Sequence, residues 1–245
     1  MRCLFLYHEG SGRGKAGKKL PYIKRRLKSV YSQVDAVKTT SAEELTARVK
    51  AGLSAYDAVI FSGGDGTFHD VLQAAEGSGT PLGYLPTGTV NDVARSLGIP
   101  RSVKGALGVI LEGRAEKLDC MRVGERRAMY IVAAGALTSA TYNTPQPLKR
   151  VMGAAAYAVE AVLHELDFRV FPLKIVCDGK EMQTSAVLVF VLNGRSVAGW
   201  PINRNASMKD GKLEVVVIRQ ATKPNLFQKL TKYFSLASLF LFGCR

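Results

Sequence analysis

Residues 59–68 read VIFSGGDGTF, an apolar run that breaks into Gly63-Gly64, an aspartate, a third glycine and a threonine. A plain turn needs one glycine, or two. Glycine lacks a Cβ, so this stretch lets something come close to the backbone, and its N–H groups can face an anion. A helical spacing follows, with Phe68, Val71, Leu72 and Ala75 on one side. The unit is therefore strand, glycine turn, helix, and the same design recurs twice: LFLYHEGSGRG at 4–14 and GYLPTGTVND at 83–92.

Working outward, the first half alternates strands and helices. CLFLY, QVDAVKT, DAVIFSGG and PLGYLP read as strands, and LPYIKRRLKSV, TSAEELTARVKAG, TVNDVARSLGIP and VKGALGVILEG as helices. Ser41 and Glu44 have capping-box spacing, Gly52 reads as a helix stop, and Gly98 with Pro100 ends the third helix. Such alternation predicts α/β architecture: a parallel sheet with helices on both faces. All three glycine turns then fall at the carboxyl ends of strands, where ligands bind. A helix start adds about half a positive charge to each. Together they suit one polyphosphate.

Near Leu118 the grammar changes. Strands flank a Gly124 turn and an Asp178-Gly179 turn, a strong hairpin signal, and GKLEVVVIRQ adds another strand. A helix, GAAAYAVEAVLHEL, intervenes. The expected organisation is a nucleotide-binding domain over 1–119 and a mainly antiparallel, β-rich domain over 120–245. The tail NLFQKLTKYFSLASLFLFG places Leu226, Leu230, Phe234 and Ala237 on one helical face, as a core helix or one lying on a membrane surface.

Asp65 needs a reason, because a carboxylate repels phosphate. It contacts a metal ion, a ribose hydroxyl or the loop's own backbone donors, or it caps the helix at Thr67. No GxxxxGK[ST] precedes a helix, which disfavours a Walker site. The chain has 245 residues and a net charge of +14, with 34 basic against 20 acidic residues. That excess points to anionic partners, whether nucleic acid, phosphorylated small molecules or a membrane surface. No aromatic-studded strand or recognition-helix pattern supports nucleic acid. Four scattered cysteines without a CxxC indicate neither a disulfide framework nor a zinc site, and fit a reduced, cytoplasmic compartment. The N-terminal apolar run is too short for a signal peptide, and FSLASLFLFG is about half a bilayer span.

GGDGTFHDV and GYLPTGTVNDVARSLGIP resemble the diacylglycerol kinase catalytic family, bacterial lipid kinases related to sphingosine and ceramide kinases and, more distantly, to NAD kinases. GAAAYAVEAVLHEL, VLNGRSVAGW and NASMKDGKLEVVVI extend the likeness along the second half. The resemblance implies ATP and Mg²⁺ as cofactors and transfer of the γ-phosphate to the hydroxyl of a lipid such as diacylglycerol. It also implies peripheral contact with the inner face of the membrane, no nucleic-acid partner, and a homodimer as one allowed assembly. It maps the phosphate loop onto Gly63, Gly64, Asp65, Gly66 and Thr67, with Phe68 and His69 at its edge. The first nucleotide loop falls on His8, Glu9, Gly10, Ser11 and Gly12, where the family has Asn-Pro in place of His8-Glu9. Thr40, Thr89, Asn91 and Asp92 complete the nucleotide contacts.

The resemblance further implies metal binding by Asp210 and the Lys212 carbonyl, with a second family carboxylate falling at Ser207. The family's proton acceptor lies in an Asp-Gly-Glu segment that this sequence does not reach before Arg245. The expectation is a truncated form or a protein that binds nucleotide without efficient turnover, since losing a general base costs about 10²–10⁴ in rate. An NAD kinase-like enzyme and a non-catalytic nucleotide- or lipid-binding protein remain as alternatives.

Overall fold

A computed structural model describes residues 1–8, 15–135, 170–199, 201, 203–220 and 236–244. The chain forms two compact units. The first comprises Met1–Met129 together with Arg195–Ile202, and the second comprises Tyr130–Gly194 and Asn203–Arg245. The first unit therefore takes in the hairpin of β5 (Met121–Val123) and β6 (Arg126–Ala128), about ten residues past the change of sequence grammar.

In the first unit β1 (Arg2–Tyr7), β2 (Gln33–Lys38), β3 (Ala58–Gly63) and β4 (Leu82–Pro86) form an all-parallel sheet in the order β2-β1-β3-β4. The chain moves to one side of β1 and returns on the other. The topological switch, where open α/β sheets bind ligands, thus lies between the carboxyl ends of β1 and β3. Alternate residues face opposite layers. Cys3, Phe5, Ile60 and Leu85 pack with Ile23 and Leu27 of α2 (Leu20–Leu27) and with Val103 and Leu107 of α6 (Val103–Leu111). α1 is the single turn Lys15–Lys18. α3 (Ala42–Ala55) contacts β1 and β3, and α4 (Asp65–Ala74) contacts β3 and α3.

The N-terminus of α3 follows the capping logic. Ser41 Oγ accepts from Glu44 N at 3.2 Å, while a Glu44 carboxylate oxygen accepts from Thr40 N and Thr40 Oγ1, both at 2.9 Å. Ser41→Ala is expected to cost about 1 kcal/mol of stability in urea unfolding. A loss below the error of extrapolation would deny the cap its role. Gly52 is not a stop. The helix runs three residues further, and the glycine serves packing: a Cβ at Gly52 would lie 2.6 Å from Leu4 Cδ2 and 3.3 Å from Val59 Cγ2. Glycine there lets α3 approach the sheet.

In the second unit, β7 (Ile131–Gly135), β10 (Leu188–Leu192), β11 (Leu213–Gln220) and β12 (Leu236–Cys244) form an antiparallel sheet in the order β12-β11-β10-β7. β8 (Phe171–Cys177) and β9 (Lys180–Ala186) pair as a hairpin, with Asp178 and Gly179 at φ 49° and 75°, the twist a two-residue turn requires. Phe171, Leu173 and Ile175 on one face of β8 pack against Ala186, Val215 and Val217.

Two expectations are corrected here. The helix expected over the tail does not extend through Ala237, which lies in β12: residues 236–244 pair with β11, whose outer edge is satisfied that way. Residues 221–235 and GAAAYAVEAVLHEL lie outside the described residues. Cys177 is disulfide-bonded, whereas Cys3 and Cys120 are free; burial, reinforced by the Asp35 charge, pushes the Cys3 thiol up to about 12.

Candidate nucleotide-phosphate site

The site grows from the ends of β3 and β4. β3 stops at Gly63, Gly64 is the extended N-cap, and α4 starts at Asp65, so Asp65, Gly66 and Thr67 form the first helical turn and not a free loop. The first ladder bond of α4 is Phe68 N to Gly64 O, 3.0 Å. The amides before it have no acceptor within the helix and are available to an anion.

The turn after β4 closes onto this one. Thr87 N and Gly88 N both donate to Gly63 O, at 2.8 and 3.1 Å. The backbones touch: a Cβ on Gly88 would sit 2.4 Å from Gly64 Cα and 2.7 Å from Asn91 Oδ1. A Cβ on Gly63 would strike the Thr67 side chain at 2.3 Å. By contrast, nothing lies within 4 Å of a Cβ built on Gly66. Two of the three glycines are thus required by the protein's own packing, and the third faces open space.

Beneath the turns, Phe61, Phe68 and Tyr84 stack or meet edge-on, with centroids 5.0–5.5 Å apart. The Tyr84 hydroxyl lies 3.3 Å from both Gly63 O and Asn91 Oδ1. Asn91 takes a left-handed conformation, φ 58°, and donates from Nδ2 to Gly88 O at 2.8 Å. Asparagine tolerates that conformation better than most residues.

Asp65 reaches the second turn. Its Oδ1 accepts from Val93 N at 3.0 Å, at the start of α5 (Asp92–Ser96). Burial raises the Asp65 carboxyl above its usual range, while the amides of Val93, Asp92 and Asn91 pull it down and the neighbouring Asp92 carboxylate pushes it up. Backbone donors therefore stabilise a charge that its surroundings disfavour.

The structure brings most of the sequence-predicted residues together here. Gly63 through Thr67, His69 and Thr89 surround the two turns, with Gly66 and Thr89 exposed. The Phe68 ring is buried in the aromatic cluster, and Asn91 and Asp92 are each 1% exposed, their side chains spent on protein partners. His8 and Thr40 lie just past the carboxyl ends of β1 and β2, with His8 Nδ1 2.6 Å from Thr39 O. Glu9, Gly10, Ser11 and Gly12 are outside the described residues. Asp210 and Lys212 belong to the second unit, where Asp210 Oδ1 accepts from Lys212 N at 3.1 Å. Among the described residues, no group of three or more His, Cys, Asp or Glu is placed to hold a metal.

Sequence reasoning missed Tyr84 as the tie between the turns and missed Ser196 and Gly199. Ser196 Oγ and Gly199 N both donate to Asp92 Oδ1, at 2.7 and 3.0 Å. An isolated tyrosine in GYLP carried a weak signal; contacts a hundred residues apart carried none.

Residues 2–123 match the diacylglycerol kinase catalytic domain, and residues 130–237 match the YegS C-terminal NAD kinase beta sandwich-like domain. A protein named diacylglycerol kinase from Staphylococcus aureus strain MRSA252 is 31% identical over 234 residues, covering 94% of this chain and 74% of its own. A crystal structure of a diacylglycerol kinase from Bacillus anthracis strain Sterne aligns over 100% of this chain and 84% of its own, with TM-score 0.78 and 22% identity. A further crystal structure from that organism reaches TM-score 0.82 at 23% identity, covering 82% of its own chain. At these identities the structures speak to the fold. No helix among the described residues is long and apolar enough to cross a membrane. With the sequence relatives spanning nearly all of it, the chain belongs to the diacylglycerol kinase catalytic-domain family of kinases.

Proposed function

We propose that the chain transfers the γ-phosphate of ATP to the hydroxyl of a lipid such as diacylglycerol. The observation that carries this is the closed pair of glycine turns: backbone against backbone at Gly64 and Gly88, with the first turn of α4 open above Gly66. Such a surface presents N–H donors to phosphate oxygens without a side chain intervening. Gly63 to Thr67 and Thr89 hold the triphosphate. His8 and Thr40 border the nucleotide on the β1 side. Asn91 acts from below by fixing Gly88.

Magnesium fits the donor set. The ion binds proteins through one or two carboxylates together with substrate phosphates, so no cluster of acids is needed. Asp65 would hold it at the phosphates, and Asp210 with the Lys212 carbonyl would hold a second ion in the other unit. Bound there, the metal would neutralise charge on the transferred phosphoryl group. Asp65 is oriented for this by the Val93 amide, and its raised carboxyl favours a partner cation over an unpaired charge. The protein's remaining contribution is positioning, which supplies most of the acceleration in phosphoryl transfer. The exposed Arg25, Arg26 and Lys28 around α2 draw the protein to an anionic lipid surface on the cytoplasmic side.

Gly66→Ala tests the reading. Nothing in the fold opposes a methyl group there, and alanine favours helix by about 0.5–1 kcal/mol in helix interiors. The variant is expected to melt at or above the parent temperature yet bind Mg·ATP at least tenfold more weakly by calorimetry. Unchanged affinity would place the triphosphate elsewhere. Alongside, γ-labelled ATP is offered with diacylglycerol in mixed micelles and, separately, with NAD. Label is expected in the lipid arm, and label in the NAD arm alone would overturn the acceptor class.

A further inference from the structure

The segment Arg195–Ile202 leaves the second unit's β10 and packs with the first unit instead. Among the described residues, three hydrogen bonds tie it to α5. Arg195 N donates to Ser96 Oγ at 2.9 Å, and Ser196 Oγ and Gly199 N converge on the single oxygen Asp92 Oδ1. Ser196 is 5% exposed and Ser96 8%. Ala198 and Gly199 both adopt positive φ, 52° and 85°, so the segment curls around its acceptor. Gly199 also comes within reach of the Val90 side chain, where a Cβ would lie 3.7 Å from Cγ1.

The structure assigns Asp92 as a positioning residue: it pins the 195–202 strap to the first turn of α5, the same turn whose Val93 amide holds Asp65. One side of that turn is tied to the phosphate-loop helix and the other to the strap. The function needs an oxygen acceptor at Oδ1 and not a negative charge. Both strap bonds end on Oδ1, which an asparagine reproduces. Removing the charge also removes the repulsion between Asp92 and Asp65. This extends the kinase reading by giving Asp92 a role distinct from nucleotide contact.

The test is amide hydrogen exchange of the full chain, read on peptides spanning 195–202, with phosphotransfer kinetics beside it. Asp92→Ala is expected to speed exchange of the strap about tenfold or more, the effect of losing hydrogen bonds to a charged acceptor. Ser196→Ala, which removes one bond, should give a smaller acceleration. Asp92→Asn should restore slow exchange. In kinetics, Asp92→Ala is expected to lower kcat on the order of tenfold with the KM for ATP within about threefold, because the Gly64–Gly88 contact is untouched. Asp92→Asn should recover most of that loss. If Asp92→Asn is as damaging as Asp92→Ala, the charge itself is what matters and the assignment is wrong. Equal strap exchange in the parent and Asp92→Ala would also overturn it. If the parent transfers no label to any lipid, the kinase reading fails, and the exchange arm still decides the strap.

Discussion

Asp65→Asn is expected to reduce phosphotransfer by about 10²–10³ while leaving the protein at least as stable as before. The first half rests on the role of a preorganised charge at a reacting phosphate, whose removal costs that much in comparable sites. Asparagine keeps an oxygen for the Val93 amide, so the geometry survives and only the charge is lost. The second half follows from the raised carboxyl. Burial is the largest cause, so the folded protein binds the Asp65 proton more tightly than the unfolded chain does. Protonation therefore favours the fold. That contribution is fully present below the ordinary aspartate value, about 3.9, and is lost as pH rises through the raised folded value.

At neutral pH the parent carries a buried charge at a cost, which asparagine relieves. Melting temperatures of the two proteins should converge at low pH and separate as pH rises, with the variant higher. A variant that melts several degrees below the parent at pH 7 would mean that the charge stabilises the fold, contrary to this account. Full activity in the variant would remove Asp65 from the site.

Gly88→Ala is expected to damage both binding and folding. Its methyl group would meet Gly64 Cα at 2.4 Å and Gly64 N at 3.1 Å, and these are backbone atoms that no rotamer can move. Forced overpacking of this kind costs about 1–3 kcal/mol and at times more. Relief requires the two turns to separate, which breaks the Thr87 and Gly88 bonds to Gly63 O. Mg·ATP affinity should then fall by more than tenfold, with a lower midpoint in urea. Gly64→Ala, whose nearest contact would be 3.2 Å, should be milder. An order of severity Gly88, then Gly64, then Gly66 for stability would follow the steric distances. A destabilising Gly66→Ala beside a neutral Gly88→Ala would contradict them.

The phosphate turns were legible because their requirements are local. A strand that ends in glycines before a helical period can be read from a dozen residues, and so can the Asp178-Gly179 turn and the positive-φ Gly98 that closes α5. Gly52 misled because the same residue type serves termination and close packing, and only the position of Leu4 distinguishes them. The segment 236–244 misled because a short apolar run fits a helix face or a ladder equally, and the free edge of β11 decides. Phe68 lies one residue beyond the turn that anions can reach, and the aromatic core claims its ring. Asp92 sits in the right motif, but its partners are some hundred residues away, and no period or spacing within TVNDVARS could announce them.

The strap also has a consequence for biosynthesis. A nascent chain that has emerged as far as Met129 already holds all four strands of the parallel sheet, but not the donors for Asp92 Oδ1. Those donors emerge about seventy residues later, a delay of several seconds at typical translation speeds of about 5–20 residues per second. In that interval the bonds that join the two phosphate turns can already form, while Asp92 Oδ1 has only water to accept from, so the strap is the last piece to be added to the first unit.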